Sequence, residues 1–302
     1  MPFNDGIPKI NSYSLTDFHD FEDCSFRFFI RHHLDKKYEI DEGNSIVALG
    51  NLLDQSIKKF HKHKYYGCDP SELVGLVKAA AKDMREQVQI AQAKGKNHFY
   101  KSTIPFLNDE VITEAIKIFQ DYYRGRNLKI NQAVEEVGFC EWTFEANGDK
   151  FKLWGGPDCL EMGEDGIPEV VDYKSRKDLE KGKTYMDMDL MPKIYTLLCS
   201  SKLLNKGFKK ARFLVRLWQD PKDESLFEEF DLTVMDGAEF LFKQKIEKIL
   251  GTKEIYFCNK EFCRACQSEK KDDFLKELEM LGLIDQNSSK VVSGEEFIRG
   301  NI

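Results

Sequence analysis

The sequence predicts an α/β fold, a mixed β-sheet flanked by helices with a helical N-terminal portion. Three observations carry that expectation. Apolar residues recur at helical spacing through roughly the first 125 positions. Short β-branched and aromatic runs then follow, punctuated by Asn147-Gly148 and by Gly163-Glu164-Asp165-Gly166. Helical patterning returns after about Met186.

In the helical portion, Ser14 to about His33 reads as one helix, with Leu15, Phe18, Phe21, Phe28 and Phe29 recurring and Ser14–Asp17 as a capping box. A second helix runs from about Ser45 to Tyr65, turning Leu49, Leu52, Leu53, Ile57 and Phe60 inward. A third follows the start signal Asp69-Pro70-Ser71 and extends to about Ala93. Gly95 to Ser102 is a basic loop, and a fourth helix covers Asn108–Arg124.

The strands expected next are Ala133–Phe144, Lys150–Trp154, Asp158–Met162 and Glu169–Ser175. A helix spans Met186–Leu204. Lys210–Trp218 and Phe227–Val234 form a hairpin through Asp220-Pro221. Helices near Asp236–Leu250 and Asp272–Leu281 flank a cysteine-rich loop. With no convincing linker, residues 1–285 read as one domain: helical part 12–127, sheet core 133–234, cysteine-containing part 236–285, then a tail at 286–302.

The chain has 302 residues, 41% of them hydrophobic, which excludes a mostly disordered polymer. Its 45 basic and 52 acidic residues exclude a uniformly basic coat for nucleic acid, but not a local basic groove. No apolar run approaches the roughly 18 residues of a membrane helix, and the first residues carry no apolar signal segment. A cytoplasmic protein with no membrane role is the expectation. The eight cysteines are then reduced, so a cluster of them points to metal before disulfide.

The densest chemistry is Gly155-Gly156-Pro157-Asp158 followed by Glu169-Val-Val-Asp172-Tyr173-Lys174. Period two puts Asp172 and Lys174 on one strand face, Val171 and Tyr173 on the other. Antiparallel pairing would bring Asp158 to the same sheet edge. Hard oxygen donors of this kind hold Mg²⁺ or Mn²⁺. An adjacent lysine orients or deprotonates a bound water and stabilises charge on a phosphodiester. The plain alternative is a surface hairpin with an ordinary ion pair.

Pro157-Asp158 and Asp172-Tyr173-Lys174 resemble the hairpin of the PD-(D/E)xK nuclease superfamily. Ser12-Tyr13-Ser14-Leu15 through Cys24-Ser25-Phe26-Arg27-Phe28, Ala48–Asp54 and Met191-Pro192-Lys193-Ile194-Tyr195 are similar to three further motifs of its RecB-like branch, which includes the AddB nuclease domain and CRISPR-associated exonucleases. The resemblance implies a restriction-endonuclease-like core and metal-dependent DNA cleavage, exonuclease-like on single strands or ends, within a DNA-processing complex. It implies Asp54, Asp158, Asp172 and the Tyr173 carbonyl as metal ligands, and Lys174 acting on the water. Two positions depart from the branch: Asp54 replaces its histidine and Met191 its glutamine, which keeps open a catalytically silent binding or assembly module. Glu135 and Glu136 precede the strands where some relatives carry another acidic residue.

Cys258-x4-Cys263-x2-Cys266 is compact, and Cys24 lies far upstream. In the branch, one early and three late cysteines hold a [4Fe–4S] cluster. The resemblance therefore implies such a cluster on Cys24, Cys258, Cys263 and Cys266, ahead of zinc; a lost cluster is the alternative. Cys68, Cys140, Cys159 and Cys199 read as core or incidental, with Cys159 facing away from Asp158. His32-His33 and His61-x-His63 read as solvated or phosphate-contacting. Basic runs at Lys58–Lys64, Lys94–Lys101 and Lys174–Lys183, with Tyr65, Tyr66, Phe99 and Tyr100 interleaved, suggest backbone contacts and base stacking.

Overall fold

A computed structural model describes residues 12–34, 43–96, 98, 100–126, 133–135, 140–146, 148–174, 191–219, 227–251, 255, 257–258 and 263–281. Its elements form two mixed sheets flanked by helices, a mixed α/β architecture consistent with the restriction-endonuclease-like core. The chain divides into two compact units.

The first unit takes Met1–Asp41, Glu141–Trp154 and Phe240–Ile302. It opens with β1 (Ser12–Tyr13), α1 (Leu15–Asp23) and α2 (Ser25–His33). The expected capping box is present: the Ser14 side chain accepts from the Asp17 backbone, and the Asp17 carboxylate accepts from the Ser14 N–H at 2.6 Å. The single helix expected over Ser14–His33 is instead two. Cys24 is extended, with φ −164° and ψ 97°. Its N–H closes α1 on the Asp20 carbonyl, and its own carbonyl accepts from Phe28 to begin α2. No glycine or proline marks this break.

β3 (Cys140–Ala146) and β4 (Asp149–Gly155) are neighbours in a three-stranded sheet, with β1 parallel to β4 on the other side. Most of α7 (Asp236–Gly251), the short α8 (Arg264–Gln267) and α9 (Lys271–Met280) complete the unit. Its core is largely aromatic: Phe242 meets Phe18 and Phe144 edge-on at ring distances of 4.8 and 4.7 Å. Such pairs add about 0.5–1.5 kcal/mol each beyond their buried area.

The second unit takes Glu42–Cys140 and Gly155–Glu239. Helices α3 (Ser45–Lys62), α4 (Glu72–Ala93) and α5 (Asp109–Arg126) match the expected spans closely. Asn44 caps α3, accepting from the Val47 N–H at 2.9 Å. Leu52, Leu53, Ile57 and Phe60 face inward as the spacing requires, onto Leu76, Met84 and Phe119.

The sheet of this unit runs β2 (Ala133–Glu135), β5 (Cys159–Met162), β6 (Pro168–Lys174), β7 (Lys210–Leu217), β8 (Phe227–Asp231). β5 and β6 are antiparallel, with Cys159 opposite Val171 and Glu161 opposite Glu169. β6 and β7 are parallel, and α6 (Met191–Asn205) lies between them in sequence, making a βαβ unit. β7 and β8 pair antiparallel as expected. Glu136, Phe99 and residues 175–190 and 220–226 lie outside the described residues, as do the corresponding expectations. Among the described residues, no helix is long and apolar enough to cross a membrane.

Candidate active site

Gly155 leaves β4 with φ +148°, a conformation that suits a residue without a Cβ. The chain then delivers Asp158 to the start of β5. Asp158 is fixed twice along one edge of β6: its N–H donates to the Val171 carbonyl at 3.0 Å, and its Oδ2 accepts from the Tyr173 N–H at 2.9 Å. Two residues along one face of β6, Lys174 Nζ sits 2.7 Å from Asp172 Oδ2. The period-two reading of the hairpin is therefore realised. The Tyr173 side chain faces away, so only its backbone belongs at this edge.

Asp54 joins from α3. Burial, then the charge of Asp158, holds its carboxyl well above the ordinary range; Lys58 and Lys174 oppose this. Lys58 follows Asp54 by one helical turn and places Nζ 3.8 Å from Asp158 Oδ1. Asp172 is pushed up to about 6, by burial first, against the pull of Lys174 and with Asp158 adding to the rise. Burial would lower Lys174, but Asp172 and Asp158 outweigh it, and the ammonium stays charged. Tyr195 of α6 is raised by burial and then by Asp172, and it feels Lys174, Asp158 and Asp54 as well. The hydroxyl thus belongs to the site's field. Met191, at the start of the same helix, is buried and adds no polar group.

With all three aspartates ionised, as a bound cation would require, they outnumber the two lysines by one negative charge, and every aspartate offers hard oxygen. That combination fits a divalent Mg²⁺ or Mn²⁺ ion. What joins the aspartates is charge. The groupings whose donor atoms all lie within 4.8 Å of one another, among the described residues, are elsewhere: the four cysteines, and His61 with Cys159 and Glu161.

The cysteine group is the one expected. Cys24 Sγ lies 3.4 Å from Cys266 Sγ, and Cys258 Sγ 3.9 Å from it. Hydrogen bonds from Cys24 and Cys266 push Cys263 toward the thiolate. A soft, thiophilic metal fits four converging sulfurs.

The opposite face of the β5–β6 hairpin holds what sequence reasoning missed. Glu161 and Arg216 are fully buried, and Glu169 nearly so. Arg216 Nη2 lies 2.8 Å from Glu169 and 3.6 Å from Glu161, and Arg126 reaches Glu161 at 3.3 Å. Burial would raise Glu161, but Arg216 and Arg126 hold it below the ordinary carboxylate range. Tyr173 donates to Glu161 at 3.0 Å, and Tyr122 to Tyr173 at 3.1 Å. The alternation Cys159-Leu160-Glu161 was the available signal: it puts Glu161 on the face of Cys159 and Val171.

Several expected surface groups are packed instead. The His61 side chain is only 7% exposed and touches Cys159 and Glu161, so it is not solvated. His32 pairs with Asp17 at 2.7 Å and stacks on Phe28; His33 stacks on Phe29. Tyr100 is buried, and Tyr65 and Tyr66 pack on the helical core around Phe60, which removes them as base-stacking platforms. Their alternation with lysines reflects one buried and one wet side of a helix end. Lys58, Lys59, Lys62 and His63 instead line a cleft of about 290 Å³, with Asp158, Cys159 and His61 in its wall.

The model of the PD-(D/E)XK nuclease superfamily matches residues 12–270. The chain belongs to the PD-(D/E)XK nuclease superfamily. Members of this superfamily are generally metal-dependent nucleases, so a nucleic acid substrate and a divalent metal come with membership. No curated protein matches the chain. Among solved structures, the crystal structure of SSO0001 is 15% identical, with a TM-score of 0.24, covering 49% of this chain and 68% of that one. The structure of Scheffersomyces stipitis Rai1 in complex with (3'-NADP)+ and calcium ion is 13% identical, with a TM-score of 0.20, covering 93% of this chain and 71% of that one. Likenesses this remote carry no argument about this PD-(D/E)XK protein.

Proposed function

We propose that this protein is a divalent-metal-dependent DNA nuclease of the RecB-like kind, exonuclease-like on single strands or ends, working in DNA processing, recombination or repair. The observation that carries the reading is the meeting of Asp158, Asp172, Lys174 and Asp54 at one edge of the β5–β6 hairpin.

Asp54, Asp158 and Asp172, with the Tyr173 carbonyl, would hold Mg²⁺ or Mn²⁺. That ion supplies a water of lowered pKa and neutralises phosphate charge when bound. Lys174 keeps its proton beside Asp172 and Asp158. It would position or activate the attacking water and balance charge on the phosphate. Attack by the water's oxygen would form one P–O bond and break the bond to the 3′-oxygen, the water losing one proton to solvent and the 3′-oxygen gaining one, which leaves a 5′-phosphate and a 3′-hydroxyl.

The lysine-lined cleft supports DNA as the substrate. Asp54, Lys58 and Lys62 follow one another at i, i+4 along α3, a rise of about 6 Å per step. That spacing is on the scale of successive phosphates in an extended strand. Lysines so placed neutralise phosphates without reading sequence.

The four cysteines would bind a soft metal in the same protein. A tetrahedral shell with metal–sulfur bonds of about 2.3 Å has sulfur–sulfur edges of about 3.8 Å. The 3.4 and 3.9 Å separations sit at that value. The same four sulfurs would serve a [4Fe–4S] cluster, the reading the resemblance puts first, with zinc the alternative.

A catalytically silent module is the second reading, and apolar, buried Met191 at the α6 N-terminus favours it. End-labelled single- and double-stranded DNA with Mn²⁺ or Mg²⁺ separates the two. Wild type should degrade it, and Lys174→Ala and Asp158→Ala should each slow degradation by about 10²-fold or more. DNA left intact by wild type under every metal and end structure would transfer the assignment to the silent module.

A further inference from the structure

We propose that His61, Cys159 and Glu161 form a second metal site, for a soft divalent cation such as zinc, in the wall of the lysine-lined cleft. Nothing in the nuclease reading uses these three side chains, and the inference stands apart from it.

The donors come from two elements that are independently fixed. Cys159 and Glu161 alternate along β5 and so share one face of it. His61 comes from the last turn of α3. His61 Nε2 lies 3.2 Å from Cys159 Sγ and 3.7 Å from Glu161 Oε1, and Cys159 Sγ lies 3.7 Å from the same oxygen. Zinc bonds of about 2.0–2.3 Å to nitrogen, oxygen and sulfur give tetrahedral edges of about 3.4–3.6 Å. The three separations bracket that range before any ion enters.

The surrounding contacts are those of an outer shell. Tyr66 OH sits 2.6 Å from His61 Nδ1, which orients the ring and leaves Nε2 pointing at the other two donors. Glu161 divides its oxygens. Oε2 faces Arg126 and Arg216, while Oε1 receives the Tyr173 hydroxyl and faces His61 and Cys159. The carboxylate is thus anchored by one oxygen and presented by the other. His61 and Cys159 both border the cleft, so water can reach the fourth position. A three-ligand site with an open fourth position is the zinc arrangement for a thiol, an imidazole and a carboxylate. On binding, the Cys159 thiol gives its proton to solvent and a metal–sulfur bond forms.

The test is zinc stoichiometry in the full chain, equilibrated with Zn²⁺, freed of loosely held ion and read by elemental analysis. Wild type should hold one equivalent more than Cys159→Ser and one more than His61→Gln, whatever the four-cysteine group holds. Equal zinc in wild type and in variants that fold, judged by circular dichroism, would overturn the site. Should those variants not fold, cadmium NMR of the wild-type protein decides. A resonance from a single-thiolate environment, separate from any four-thiolate signal, supports the site, and its absence at saturating cadmium refutes it.

Discussion

Asp172 meets two opposed demands. Folding buries it, which favours the neutral acid, and the metal-ligand role proposed for it needs the carboxylate. Its carboxyl therefore titrates at about 6 rather than near 4. The sign of the consequence follows. Below pH 6 the group is protonated and a poor ligand, so Mg²⁺-dependent cleavage should rise through pH 6 and level off above it; a pH–rate profile reads this directly. In the metal-free protein the raised value disfavours folding at pH 7 and ceases to do so below about pH 4. Asp172→Asn should remove that penalty, which is at most about 3 kcal/mol and is reduced by the partner Lys174 loses. Thermal melts of both proteins at pH 7 and pH 4 should differ more at pH 7. The pairing of Asp172 with Lys174 was legible in the sequence, because period two in a strand puts the two side by side whatever surrounds them. The packing of His61 was not. Its burial depends on which strand comes to rest against the end of α3, and no local pattern encodes that.

At the scale of elements, the β5–β6–β7 layer is two-sided. One face carries Asp172 and Lys174; the other carries Glu161, Glu169, Arg212 and Arg216 among apolar neighbours. A buried ion network of this kind is costly to break from one side. Arg216→Ala removes the guanidinium shared by two buried carboxylates, leaving Glu161 to Arg126 and Glu169 to longer contacts with Arg126 and Arg212, and should cost up to about 3–5 kcal/mol in urea unfolding. Arg216→Met with Glu161→Gln should cost much less, because charge and partner leave together. The same layer shows where sequence reading stops. The antiparallel hairpin was readable from its turn and alternation. The charged residues on its hidden face were invisible as such, since a glutamate in a strand looks the same whether it meets solvent or an arginine. The α1–α2 break is a second instance. Helical periodicity runs through Cys24 without interruption, and only the tertiary position of its sulfur beside Cys258 and Cys266 accounts for the extended residue.

Across the whole molecule, the α/β class and most element spans followed from periodicity alone, because long amphipathic helices and short alternating strands declare themselves locally. The division into units did not, since three distant segments make the first one. Its four cysteines join α2 to residues more than two hundred positions away. A metal held there stabilises the fold by its binding free energy. Cys24→Ser, or exhaustive treatment with a strong chelator, should lower the melting temperature by several degrees. Unchanged melting after proven metal loss would mean that the cysteines pack as a plain apolar cluster.

That long-range closure also sets a clock on synthesis. At roughly 5–20 residues per second, the ribosome takes on the order of 12–50 seconds to pass from Cys24 to Cys266. Throughout that interval the early thiol and the phenylalanines around it await partners not yet made. Over that interval the nascent chain lacks the partners that bury this thiol and these rings in the finished protein.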